Sequence, residues 1–156
     1  MKKILLVVDL QPSFKKEPEY DSVIDFIRTH GSEYDTIIAT RFINHADSFF
    51  VSKLHYNECL TRDHLDFSPD KLIGKFGYGL DLNRHYKLFN DSEVDIVGCD
   101  TDACVLSTCF QLWDHQIPFH ILSPYVYSTG TKTVHNGAIA IMKRNFGKDV
   151  FKMMSD

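Results

Sequence analysis

The sequence predicts an α/β protein with a mainly parallel sheet of about five or six strands and helices on both faces. Three observations predict it. Short apolar runs alternate with amphipathic segments along the whole chain, the pattern of repeated βαβ units. The first run, Ile4-Leu5-Leu6-Val7-Val8, is continuously apolar, as expected of a strand covered on both sides. Two runs also end next to residues that carry chemistry. Asp9 follows the first, and Cys104 lies shortly after Val94-Asp95-Ile96-Val97. In parallel sheets, sites form beyond the carboxyl ends of the strands.

The elements follow in order. A strand is predicted over 4–8, ended by Asp9-Leu10-Gln11-Pro12. Val23, Ile24, Phe26 and Ile27 have helical spacing, so a helix is predicted over 22–30 with Gly31 to end it. A second strand is predicted over 36–40, and a helix over 48–57 with Phe49 and Leu54 packed inward. The polar stretch 61–70 reads as loop. Leu72-Ile73 forms a short strand before the glycine-rich Gly74-Lys75-Phe76-Gly77-Tyr78-Gly79. That segment has no Walker or dinucleotide spacing and reads as a turn presenting Lys75. Helices over 81–89 and 103–115 flank the strand at 94–97, with Thr101 or Asp102 as N-cap of the second. A strand over 118–122, a helix over 131–146 stopped by Gly147, and a strand at Val150-Phe151 complete the chain.

Composition bounds the function. The 156 residues suit one domain spanning 1–156, 44% of them hydrophobic and 24% charged. A net charge of −4 without basic clusters argues against nucleic-acid binding. No apolar stretch has transmembrane length. Lys2-Lys3 and the following apolar residues resemble a signal peptide, but Asp9 interrupts them and no small-residue cleavage site follows. The expected location is therefore cytoplasmic, where Cys59, Cys99, Cys104 and Cys109 remain free thiols. Their spacing matches no CxxC redox or zinc pattern.

Cys104 stands in Gly98-Cys99-Asp100-Thr101-Asp102-Ala103-Cys104-Val105, in the first turn of a predicted helix. A helix N-terminus favours thiolate over thiol, so Cys104 is expected to be nucleophilic near neutral pH. The same turn offers backbone N–H groups for an oxyanion. Without further context, a free cysteine is most often a small buried hydrophobe.

Three separated blocks resemble the isochorismatase-like cysteine hydrolases, which include nicotinamidases and N-carbamoylsarcosine amidase-like enzymes. Leu5-Leu6-Val7-Val8-Asp9-Leu10-Gln11-Pro12-Ser13-Phe14 is similar to that family's apolar strand ending in D-x-Q-x-x-F. Lys75 within Gly74-Lys75-Phe76-Gly77-Tyr78 is similar to its lysine segment. Val97-Gly98-Cys99-Asp100-Thr101-Asp102-Ala103-Cys104-Val105 with Thr108 is close to V-G-x-x-T-D-x-C-V-x-x-T. His135 with Ala138-Ile139 resembles the family's H-x-x-A-L helix. The resemblance implies a three-layer, Rossmann-like α/β/α sandwich and an Asp-Lys-Cys triad. Asp9 would be the base, Lys75 the charge support and Cys104 the nucleophile. It also implies a cis peptide before Asp100 and an oxyanion hole built from the backbone N–H groups of Asp100 and Cys104. Ordinary pKa values make a carboxylate a poor base for a thiol, so Asp9 is expected to be raised and Cys104 lowered.

The implied reaction is hydrolysis of a carbon–nitrogen bond in a small amide, without a cofactor, by a dimer or tetramer of the chain. Phe14, Phe42 and Tyr78 are candidates for an apolar substrate pocket, with core packing as their alternative. Metal-binding nicotinamidases carry an aspartate and histidines after the second strand. Here Thr40-Arg41-Phe42-Ile43-Asn44-His45-Ala46-Asp47 holds one of each, and no metal site is expected. Specificity is expected from loops over 42–70 and 124–130. Vinyl ether hydrolysis, a catalytically silent binding module and a thiol redox protein are the alternatives. Trp113 reads as packing or subunit contact, His135 as a structural hydrogen-bonding residue, and Cys99 and Cys109 as core.

Overall fold

The computed structural model describes residues 1–153. Its strands are β1 (Lys2–Val8), β2 (Thr36–Phe42), β3 (Lys71–Lys75), β4 (Ser92–Cys99), β5 (Phe119–Tyr127) and β6 (Phe151–Lys152). They form one parallel sheet in the order β3-β2-β1-β4-β5-β6. The helices are α1 (Glu19–His30), α2 (Phe49–Ser52), α3 (Leu82–Phe89), α4 (Cys104–Asp114) and α5 (Lys132–Phe146). This is the α/β architecture that the sequence predicts.

The apolar run of β1 supplies two cores by strict alternation. Ile4, Leu6 and Val8 pack with Leu82 and Phe89 of α3, Val105 and Leu112 of α4, and Ala138 and Met142 of α5. Leu5 and Val7 face the other way, onto Tyr20, Val23, Ile24 and Ile27 of α1. All five of these β1 side chains are fully buried. At roughly 1.5–3 kcal/mol each, their burial anchors the sheet's centre.

β1 and β4 are neighbours, with Val7 opposite Val97 and Val8 opposite Gly98. Their following loops leave in opposite directions along the sheet, to β2 on one side and β5 on the other. A crevice opens at this reversal, beyond the carboxyl ends of both strands. Gly98 has a φ of 116°, and a Cβ there would collide with the Val8 backbone. Only glycine permits both that conformation and that approach.

Several boundaries differ from prediction. α2 is one turn, not a helix over 48–57. Ser48 caps it by accepting from the Val51 N–H at 3.3 Å, and the chain then turns at His55, whose φ is 56°. Phe49 and Leu54 are consequently exposed (76% and 61%) instead of packed inward. β5 continues through Pro124 to Tyr127 because its register with β4 shifts between Ile96 and Gly98, and a bulge accommodates a proline that lacks a donor. β6 is Phe151–Lys152, and Val150 ends a preceding turn of 3₁₀ helix. Ala103, not Thr101 or Asp102, occupies the N-cap of α4. The Thr101 Oγ1 is 2.9 Å from His135 Nδ1, and Asp102 accepts from Ser128 Oγ at 2.6 Å. Both side chains tie the turn to later segments. No helix among the described residues is long and apolar enough to cross a membrane.

Candidate active site

Asp9 directly follows β1 and is fully buried. Its φ of 47° is unusual for a residue with a side chain, and a local hydrogen-bond network holds it there. The Asp9 N–H donates to Thr40 Oγ1 at 3.1 Å, and the same hydroxyl donates to Asp9 Oδ1 at 2.7 Å. Asp9 Oδ2 lies 2.7 Å from Lys75 Nζ. That approach is an ion pair, not an aligned hydrogen bond, and leaves Oδ2 a lone pair for a proton.

Lys75 is the last residue of β3 and is buried, not displayed on a turn as predicted. The glycine-rich segment folds back over it. Its ammonium donates to Gly77 O at 2.8 Å, Tyr78 O at 3.3 Å and Cys104 Sγ at 3.3 Å. Burial alone would lower its pKa, but the charge of Asp9, and then that of Cys104, outweighs burial and raises it. Lys75 is therefore a fixed cation between carboxylate and thiol.

Cys104 opens α4, so its N–H has no acceptor within the helix. The Cys99–Asp100 peptide is cis, the bond at which the resemblance implies one. Ala103 and Val105 both donate to Asp100 O, at 3.1 and 3.0 Å, closing the turn on either side of Cys104. The thiol differs from the sequence expectation. Burial pushes its pKa up, the Asp9 charge pushes it further, and Lys75 only partly opposes them. Desolvation penalises the thiolate more than the single cation compensates, which favours the thiol.

Asp9 and Cys104 border a cavity of 440 Å³. Phe14, Phe42 and Tyr78 line it, together with Phe50, Leu54 and Tyr56, which the predicted long helix obscured. Phe14 stacks on Tyr56 with centroids 6.2 Å apart, while Phe50 meets Phe42 at 4.9 Å and Tyr78 at 5.1 Å edge to face. Asp100 and Thr129 also line it. A larger groove of 660 Å³ lies around Trp113 and Phe119, at the amino end of β5 and away from these groups. Trp113 is half-exposed there and rests 5.4 Å from Phe146. Cys99 and Cys109 are buried.

Gln11, quoted above only within a block, latches the cavity wall. Its Oε1 accepts from the Phe42 N–H at 2.8 Å, and its Nε2 donates to Phe42 O at 3.1 Å and Asp63 at 3.0 Å. Asp63 also accepts from the N–H and hydroxyl of Ser13. A glutamine two residues after a strand-ending aspartate was the available signal. Asp63 gave none.

Asn44 Nδ2 donates to Tyr56 O and Glu58 O, and its Oδ1 accepts from His45 N and Ser48 Oγ, so its polar atoms are occupied. His45 stacks on Phe76 at 4.8 Å. Among the described residues, no three His, Cys, Asp or Glu side chains converge on one point.

No protein-family profile matches the sequence, and no curated protein matches it. Solved structures do match. The pyrazinamidase of Pyrococcus horikoshii in complex with zinc aligns over 100% of both chains at 21% identity, with a TM-score of 0.75. The nicotinamidase of Bacillus subtilis covers 94% of this chain and 97% of its own at 18% identity, with a TM-score of 0.72. An isochorismatase-like hydrolase from Alkaliphilus metalliredigens covers 92% of each at 18% identity and 0.70. The chain has the fold of the isochorismatase-like hydrolases. Among those structures, the likeness extends to nicotinamidases and pyrazinamidases over nearly the full chain.

Proposed function

We propose that this protein is a cysteine hydrolase that cleaves the carbon–nitrogen bond of a small amide. The observation that carries this reading is the buried Lys75 ammonium, 2.7 Å from Asp9 Oδ2 and 3.3 Å from Cys104 Sγ, beside an aromatic cavity that Asp9 and Cys104 line.

The raised thiol pKa supports the following order of events. Cys104 rests protonated, so its proton passes to Asp9 as Sγ attacks the carbonyl carbon. Lys75 stabilises the negative charge on Asp9 and on the sulfur as the proton moves, and attack then passes that charge to the carbonyl oxygen. The carbonyl oxygen becomes an oxyanion held by the backbone N–H groups of Asp100 and Cys104. Collapse of this intermediate breaks the C–N bond, and the leaving amine takes the proton from Asp9. Water then attacks the thioester, giving one proton to Asp9, which returns it to the departing sulfur. No cofactor enters these steps. Phe14, Phe42 and Tyr78, with Phe50 and Tyr56, hold a flat substrate by its faces.

Nicotinamide and pyrazinamide are the first substrates to assay, for the acid and ammonia released. Activity lost in Cys104→Ala, with the acyl-enzyme thioester seen by mass spectrometry of the wild type, supports the reading. Activity retained in Cys104→Ala overturns it. The reading includes a cytoplasmic homo-oligomer. The exposed Phe110 and Trp113 of α4 and Ile141 of α5 are suited to its contact, and light scattering tests this.

A further inference from the structure

Asp100 borders the cavity and carries a carboxylate beside its backbone N–H. The side chain is half-buried and firmly oriented: Oδ1 accepts from the Thr129 N–H and Oδ2 from the Thr129 hydroxyl, both at 2.8 Å. A carboxylate offers about four acceptor positions, so these two bonds leave capacity for a ligand. Among the described residues, no Lys, Arg or His lies within ion-pair distance of it. Lys16, which reaches the same loop, donates to Ser128 O and Gly130 O.

The charge balance of the cavity is therefore negative. Lys75 neutralises Asp9 at 2.7 Å, which leaves Asp100 without a counter-ion. Burial raises the Asp100 pKa; the two Thr129 bonds oppose this, while Asp102 and Asp9 add to it. Such a group gains from any cation brought beside it. Five aromatic rings, those of Phe14, Phe42, Phe50, Tyr56 and Tyr78, line the same wall, beside the aliphatic Leu54. Rings and a carboxylate together attract a cation without strong hydration and disfavour an anion.

We propose that Asp100 and this aromatic wall form a subsite for a positively charged group on the substrate, which makes the preferred substrate a small cationic amide. The proposal rests on the amide hydrolase reading and deepens it. It also disfavours substrates carrying a carboxylate.

Three planar aromatic amides test it: 1-methylnicotinamide as a permanent cation, nicotinamide as its uncharged counterpart, and 3-carbamoylbenzoate as an anion. The wild type is expected to hydrolyse the cation with the highest kcat/KM and the anion with the lowest. In Asp100→Asn the cation-to-neutral ratio of kcat/KM is expected to fall about tenfold or more, the scale of a lost half-buried charge contact. The ratio cancels any loss common to both substrates. An unchanged ratio, or an anion used as well as the cation, overturns the proposal. Calorimetry of 1-methylnicotinamide with Cys104→Ala and with Cys104→Ala/Asp100→Asn separates binding from turnover. Asp100-dependent binding without hydrolysis by the wild type refutes the hydrolase reading and supports the subsite. Hydrolysis of nicotinamide without preference for the cation does the reverse.

Discussion

Replacing the two charges beside Cys104 one at a time should move its reactivity in opposite directions. Lys75 Nζ lies 3.3 Å from Sγ. At an effective dielectric of about 20 their attraction in the thiolate form is about 5 kcal/mol. If relaxation and entering water cancel all but a third, Lys75→Met still reduces the thiolate population by about tenfold at fixed pH. Asp9 acts with the other sign, since its charge raises the thiol pKa. Asp9→Asn should therefore increase alkylation of Cys104 by iodoacetamide while abolishing amide turnover, because the proton acceptor is gone. Mass spectrometry of the Cys104 peptide across neutral and alkaline pH measures the rates, with Cys59, Cys99 and Cys109 as internal references. Wild-type Cys104 should react more slowly at neutral pH than an ordinary free thiol. Rates that move the same way in both variants refute this electrostatic account. Amide turnover surviving in Asp9→Asn refutes the assignment of Asp9 as base.

Other expectations concern stability and positioning. Gly98→Ala should destabilise the protein by about 3 kcal/mol or more in urea unfolding, since it combines a collision with the Val8 backbone and a φ of 116°; a change within about 0.5 kcal/mol would contradict the close approach. Thr40→Val should cost about 1–3 kcal/mol and reduce kcat more than it changes KM, because Asp9 Oδ1 loses a buried donor at 2.7 Å. Burial raises the pKa values of Cys99, Cys104 and Cys109. The unfolded chain's thiols ionise near about pH 8.5, so it binds fewer protons than the fold above that pH, and stability falls as pH rises further. Each thiol contributes about 1.4 kcal/mol per pH unit to that decline. Urea midpoints should show it, with a shallower slope in Cys109→Ala; a midpoint independent of alkaline pH would contradict their burial as thiols.

The candidate site was partly legible because its principal residues follow strands directly. Asp9 ends an apolar run, and Cys104 follows another at a spacing that fits a helix start. Lys75 was found only by resemblance: in the sequence it looks like a surface lysine among glycines. The aromatic wall was half legible. Phe14 and Phe42 stood out, but Phe50 and Tyr56 were assigned to a helix that His55 ends after one turn. Gln11, Thr40 and Asp63 escaped notice because each acts through a partner distant in sequence, such as Thr40 across 31 residues to Asp9.

The sequence by itself determined the alternation of strands and helices, the doubly covered β1 and the location of two candidate site residues at strand ends. These follow from local periodicity and from the side-chain chemistry of adjacent residues. Only the tertiary structure decided the direction in which the Cys104 pKa is pushed. Its helix position favours thiolate, but the burial created by packing and the charge of Asp9 favour thiol more strongly. Tertiary structure likewise turned Lys75 from an apparent surface residue into a buried cation, and left Asp100 in an aromatic cavity without a counter-ion. Desolvation and charge pairing depend on distances that no local pattern encodes.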